Sequence, residues 1–125
     1  MCIRDRTHSD RFALGIAGGG VYDWRMYDTI YTERYMGLPQ DNVDGYKNSS
    51  PVNQAAKLKG KLLIAIGTSD DNVHYANTIA LGEQFIRAGR YVEIQIYPGR
   101  GHGISDPPAR IHLFRRITQF FLDNL

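Results

Sequence analysis

The sequence predicts an α/β fold built on a mostly parallel sheet. Three observations carry this. Two short runs, FALGIA (Phe12 to Ala17) and LLIAI (Leu62 to Ile66), hold no polar side chain. A third, YVEIQIY, alternates apolar with polar residues. The segments between and after these runs carry helix signals, and strands alternating with helices favour parallel pairing.

In chain order, the opening MCIRDRTHSD has no periodicity and reads as an irregular start. Phe12 to Ala17 reads as a buried strand running into Gly18, Gly19 and Gly20, a turn free of Cβ constraints. From Asp23 to Met36, Tyr27, Tyr31 and Tyr35 recur every fourth residue, as on a helix or helical turns. Gly37, Pro39 and Gly45 then mark a loop. Ser49-Ser50-Pro51 has the hydroxyl cap and early proline of a helix start, and Lys59-Gly60 closes that helix after Leu58.

Leu62 to Ile66 is apolar on both faces and reads as a central parallel strand. From His74 to Arg87, Tyr75, Ala76, Ile79, Ala80, Phe85 and Ile86 share one broad helical face, and Gly89 ends the helix. In the third strand Val92, Ile94 and Ile96 alternate with Glu93 and Gln95, so one side is wet and the strand sits near a sheet edge. Pro107 and Pro108 introduce a last helix with Ile111, Phe114, Ile117, Phe121 and Leu125 on one face. The order β-α-α-β-α-β-α suits a doubly wound sheet. Three strands are few for a sheet covered on both sides, so residues 11–125 read as part of a larger α/β domain, after a ragged residues 1–10.

Composition narrows the function. The 125 residues are 42% apolar, enough for the core of one small domain and too many for a disordered chain. The formal charge of +2 is scattered, which points to neither nucleic acid nor an anionic membrane. No apolar run approaches the ~18 residues of a transmembrane helix, and the charged start is not a secretory signal. Cys2 is the single cysteine, so no internal disulfide can form. His8, His74, His102 and His112 lack metal-ligand spacing, and no metal or other cofactor is expected.

Ligands of open α/β sheets gather beyond the carboxyl ends of the strands. Two loaded loops leave such ends: Gly67-Thr68-Ser69-Asp70-Asp71-Asn72-Val73-His74 and Pro98-Gly99-Arg100-Gly101-His102-Gly103. Alone, an acidic loop is commonly a turn or helix cap. An acid followed by a histidine on the next strand's loop is the chain order of the last two members of an α/β-hydrolase triad.

Three motifs sharpen this. WRMYDTIYTERYMGLP (Trp24 to Pro39), GTSDDNVH (Gly67 to His74) and GHGI (Gly101 to Ile104) resemble segments of the prolyl oligopeptidase family, in its dipeptidyl peptidase IV branch. The first two are long and specific, the third is short. The resemblance implies the carboxyl-terminal portion of an α/β-hydrolase fold and a serine-type peptidase that releases dipeptides after a penultimate proline or alanine. It implies Asp70 as the triad acid and His102 as the general base. Asn72 then corresponds to a residue that donates its amide to a peptide carbonyl, and Tyr27 and Tyr31 to the walls of a proline pocket. Trp24, Val21 and Val73 match further positions lining that pocket. Without the resemblance the tyrosines would read as an ordinary core stripe. Asp71 reads as a surface or capping residue, and Arg34 as either an ion-pair member or a substrate contact.

The implied partners are a peptide substrate, the amino-terminal remainder of the same hydrolase domain with a propeller, and a second copy of the chain, as in relatives that dimerise partly through this region. Bacterial relatives are often exported. Two departures stand out. Arg100-Gly101 replaces the acidic residues usual before the histidine, and no G-x-S-x-G nucleophile motif is present. The serine, the oxyanion tyrosine and the glutamates that grip a free amino terminus would lie upstream, so the chain alone is expected to be inactive. The alternative is a non-catalytic remnant that binds or completes a partner hydrolase domain. A receiver-like phosphoacceptor fits poorly, because its acids follow the first strand, and Gly18 to Gly20 lack the spacing of a nucleotide loop.

Overall fold

A computed structural model describes residues 12–125. The expectation of an irregular start over residues 1–10 lies outside the described residues. Three parallel strands, β1 (Leu14–Gly18), β2 (Lys61–Gly67) and β3 (Glu93–Tyr97), form one sheet in the order β1-β2-β3. Ile16 lies beside Leu63 across the first pair, and Ile64 beside Ile94 across the second. The continuous apolar run LLIAI is therefore central, as its two-sided apolarity demands, and the alternating strand lies at an edge.

Between β1 and β2 come a 3-10 turn (Trp24–Met26), helix α1 (Thr29–Met36), helix α2 (Val43–Ser49) and 3-10 turns over Val52–Lys57. Helix α3 (Ala76–Arg87) connects β2 to β3, and α4 (Pro107–Asn124) follows β3. One face of the sheet buries Leu62 and Ile64 with Ala55, Leu58, Leu81 and Phe85. The other buries Ala65 and Tyr97 with Ile104 and Ala109 of the α4 side. Helices on both faces make this a three-layer α/β arrangement.

Four details differ from the sequence reading. Helix α2 forms where a loop is expected. The Asn42 side chain accepts the Gly45 N–H at 3.1 Å and caps it, and the buried Tyr46 anchors it by donating its hydroxyl to the Gly37 carbonyl at 2.8 Å. Ser50 caps no helix: its hydroxyl donates to the Tyr22 carbonyl at 3.0 Å, and the segment that follows is 3-10 rather than α. Helix α3 buries Asn77, Thr78, Leu81 and Phe85, while Ile79 and Ile86 face outward. Helix α4 turns Ala109 and Phe120 inward with Leu113 half-buried, leaving Ile111, Phe114, Phe121 and Leu125 exposed. Both helices carry more apolar residues than one face can bury, so counting them cannot select the inward stripe.

Candidate active site

Because the strands are parallel, the loops after β1, β2 and β3 all emerge on the same rim. The β2 and β3 loops are laced together by backbone. Thr68 donates its N–H to the Tyr97 carbonyl at 3.1 Å, Ser69 to the Arg100 carbonyl at 3.0 Å, and Gly99 to the Thr68 hydroxyl at 2.8 Å. Gly67 permits this closeness, since a Cβ there would lie 2.1 Å from the Arg100 carbonyl oxygen.

The lacing brings Asp70 and His102 into contact. Asp70 is 3% exposed. Its Oδ1 accepts the N–H groups of Asn72 at 3.0 Å and Val73 at 2.8 Å, an Asx turn that fixes the carboxylate. Its Oδ2 lies 2.9 Å from His102 Nδ1. A carboxylate accepts, so His102 Nδ1 is the donor of this hydrogen bond, which leaves Nε2 outside it. The ring is 43% exposed and can meet a reactant. Below it runs the turn after β1, where Gly19 has φ +52° and a Cβ would sit 2.7 Å from His102 Cε1. A cavity of about 260 Å³ opens beside the pair, lined in part by Ile16, Gly18, Leu113 and Ile117.

Arg100, the departure from the expected acidic residues, closes the loop that carries His102. Its guanidinium donates to both carboxylate oxygens of Asp106, at 3.0 and 3.2 Å, and to the Pro98 carbonyl at 2.9 Å. The bond from Arg100 holds the Asp106 carboxyl below its ordinary range, and Asp106 caps α4. Ile104, just past His102, is buried with φ 42°, a costly conformation for a β-branched residue.

Trp24, Tyr27 and Tyr31 form a trio. Trp24 and Tyr31 stack at 6.1 Å between ring centroids, and Tyr27 meets each edge-on, at 5.9 and 5.7 Å. Tyr27 precedes α1 rather than sharing its helix with Tyr31, because Asp28 caps α1 by accepting the Tyr31 N–H at 2.8 Å. The trio joins the Asp70–His102 pair through Asn72. Tyr27 donates its hydroxyl to Asn72 Oδ1 at 2.8 Å, which turns the Asn72 NH2 away from that bond. Val73 is buried beside Asp70 and Val21 is half-buried. Asp71 is exposed and caps no helix among the described residues; the Ala76 N–H goes to His74 Nδ1 at 3.2 Å. Arg34 is exposed and forms no ion pair among the described residues.

Sequence reasoning overlooked Asp23 and Asn77, both buried and joined to the backbone around Trp24. Burial alone would raise the Asp23 pKa, but hydrogen bonds from the Arg25 side chain and N–H outweigh it and hold the carboxyl below 3.8. The pair two residues apart was the available signal for Asp23; Asn77 had none. Among the described residues no group of three or more His, Cys, Asp or Glu could hold a metal ion, and no helix is long and apolar enough to cross a membrane.

The chain matches the prolyl oligopeptidase family over residues 2–125. It is 40% identical over 112 residues to dipeptidyl peptidase 4 of Felis catus, covering 87% of this chain and 15% of that protein. It is 41% identical over 120 residues to dipeptidyl peptidase 8 of Homo sapiens, covering 94% of this chain and 13% of that one. The crystal structure of Porphyromonas gingivalis dipeptidyl peptidase 4 superposes with a TM-score of 0.88 at 44% identity, over 91% of this chain and 16% of that one. A dipeptidyl-aminopeptidase-IV-type structure from Bacteroides ovatus superposes with a TM-score of 0.95 at 35% identity, over 99% of this chain and 17% of that one. The chain thus spans about a sixth or less of the length of these relatives. The parallel sheet between helices is that of the α/β-hydrolase fold, and this chain belongs to the prolyl oligopeptidase family, whose members it resembles here are dipeptidyl peptidases.

Proposed function

We propose that the chain is the carboxyl-terminal part of the catalytic domain of a serine-type dipeptidyl peptidase, supplying acid, base and proline pocket but not the nucleophile. The observation that carries this reading is the 2.9 Å contact between a buried Asp70 and a half-exposed His102 on the sheet rim. The serine would come from an upstream segment of the full-length protein. In the described sheet β1 is an edge, yet with Leu14 and Ile16 on one face and Ala17 on the other it carries no polar side chain, which suits another strand beside it.

In the reaction, the serine Oγ attacks the carbonyl carbon of the penultimate residue while its proton passes to His102 Nε2. Asp70 keeps the other ring proton on Nδ1 and stabilises the imidazolium. The C–N bond breaks as His102 returns a proton to the leaving amine. Water then repeats the cycle on the acyl-enzyme. Tyr27, Tyr31 and Trp24 would enclose a proline or alanine side chain, since flat rings bury a pyrrolidine at little entropic cost. The Asn72 amide, oriented by Tyr27, would donate to a carbonyl of the substrate.

The test is made in the full-length protein with a Gly-Pro chromogenic substrate. Asp70→Asn is expected to lower kcat by roughly 10⁴, with Asp71→Asn costing little. A crippled Asp71→Asn beside an active Asp70→Asn overturns the assignment.

A further inference from the structure

We propose that Asn77 is a positioning residue that sets the shape of the aromatic pocket, and hence the preference for proline over alanine. The inference rests on the peptidase reading above and adds a determinant of its specificity. Asn77 lies in the first turn of α3, 1% exposed, and among the described residues its side-chain hydrogen bonds go to backbone rather than to Asp70, His102 or a ring. Its side chain instead spans two loops. Oδ1 accepts the N–H groups of Tyr22 at 3.2 Å and Asp23 at 3.4 Å. Nδ2 donates to the carbonyls of Met26 at 3.3 Å and His74 at 3.4 Å.

These partners bracket the site. Tyr22 and Asp23 immediately precede Trp24, and Met26 immediately precedes Tyr27. His74 ends the loop that carries Asp70, Asn72 and Val73. One amide therefore clamps the turn bearing two of the three rings at both its ends, and pins that turn to the Asp70 loop across more than fifty residues of sequence. The chemistry demands an amide. Two backbone donors and two backbone acceptors converge on one buried point, and only Asn or Gln offers both an acceptor oxygen and an NH2. Aspartate would face two carbonyls with a charge and nothing to donate, and alanine would strand buried N–H groups.

Loss of the clamp should act on the pocket and spare the proton relay. Asp70 is held separately, by the Asn72 and Val73 N–H groups. Among the described residues, the one side-chain hydrogen bond from the rings to the Asp70 loop is that of Tyr27 to Asn72. A proline ring fills the space between aromatic walls and feels a small shift in their spacing, whereas an alanine methyl touches them less.

The experiment compares kcat/KM for Gly-Pro and Gly-Ala p-nitroanilides in the full-length protein, for wild type, Asn77→Ala and Asn77→Gln. The ratio of the two substrates cancels the concentration of correctly folded enzyme, so mere instability does not move it. Asn77→Ala is expected to lower the Pro-to-Ala ratio about tenfold, chiefly through KM for Gly-Pro, with the acid limb of the kcat–pH profile unchanged. Asn77→Gln keeps the amide but carries it one methylene farther. It preserves the fold should the alanine variant fail, and is expected to shift the ratio less, in the same direction. A wild-type ratio in the folded variants, or a loss of kcat equal for both substrates, overturns the proposal. A wild-type protein that cleaves neither substrate overturns the peptidase reading itself, and this inference with it.

Discussion

Replacing Gly19 by alanine asks whether the turn after β1 braces His102. The substitution has two separable costs. The backbone cost comes from φ +52°, a left-handed conformation that costs an L-residue roughly 1–2 kcal/mol. The steric cost comes from the new Cβ, which would lie 2.7 Å from His102 Cε1 and 2.9 Å from Nδ1. Restoring an ordinary carbon–carbon contact of roughly 3.5 Å moves the ring by about 0.8 Å. That is enough to break its 2.9 Å contact with Asp70 or to carry Nε2 off line. A displacement near 1 Å at a reacting group costs on the order of 100-fold, so kcat/KM of the full-length protein should fall roughly 100-fold. The control is Gly89→Ala, at φ +63° with nothing within 4 Å of the new Cβ. It carries the same backbone cost, and should lower the denaturation midpoint similarly while leaving kcat/KM within about twofold. Steady-state kinetics and urea unfolding on both variants decide the matter. If Gly19→Ala loses no more activity than Gly89→Ala, the turn does not hold the ring, and the reasoning fails.

Two further outcomes follow from the same geometry. Tyr27→Phe keeps the aromatic wall but removes the hydroxyl that donates to Asn72, so KM for a Gly-Pro substrate should rise about fivefold, the worth of one hydrogen bond, with kcat nearly unchanged; an unaltered KM would show that Asn72 needs no such partner. Asp23 has a folded pKa below its unfolded value, so its contribution is fully present above about pH 4 and is lost as pH falls through the lowered folded value. The urea midpoint should therefore decline as pH drops below about 4, less steeply in Asp23→Asn, and parallel pH profiles would count against the pairing with Arg25.

The succession of strands and helices along the chain, the central place of LLIAI and the two loops bearing Asp70 and His102 were legible in the residues alone. Apolar period and turn chemistry are local properties, and parallel connection then places the carboxyl ends of consecutive strands on one rim. The long motifs around Trp24 to Pro39 and Gly67 to His74 pointed to the family to which the chain belongs. The inward stripes of α3 and α4 were not legible, because both helices hold more apolar residues than the sheet can cover. On α3 the polar Asn77 and Thr78 take inner positions that Ile79 and Ile86 would fill on hydropathy alone. Helix α2 was hidden by Gly45, whose N–H is the very group that the Asn42 side chain caps. The need for glycine at 19 and 67 belongs to the tertiary structure as well. Each makes room for an atom of a loop far along the chain, the His102 ring in one case and the Arg100 carbonyl in the other. Close approach between distant segments leaves no period in a sequence; it exists only once the sheet has brought the loops together.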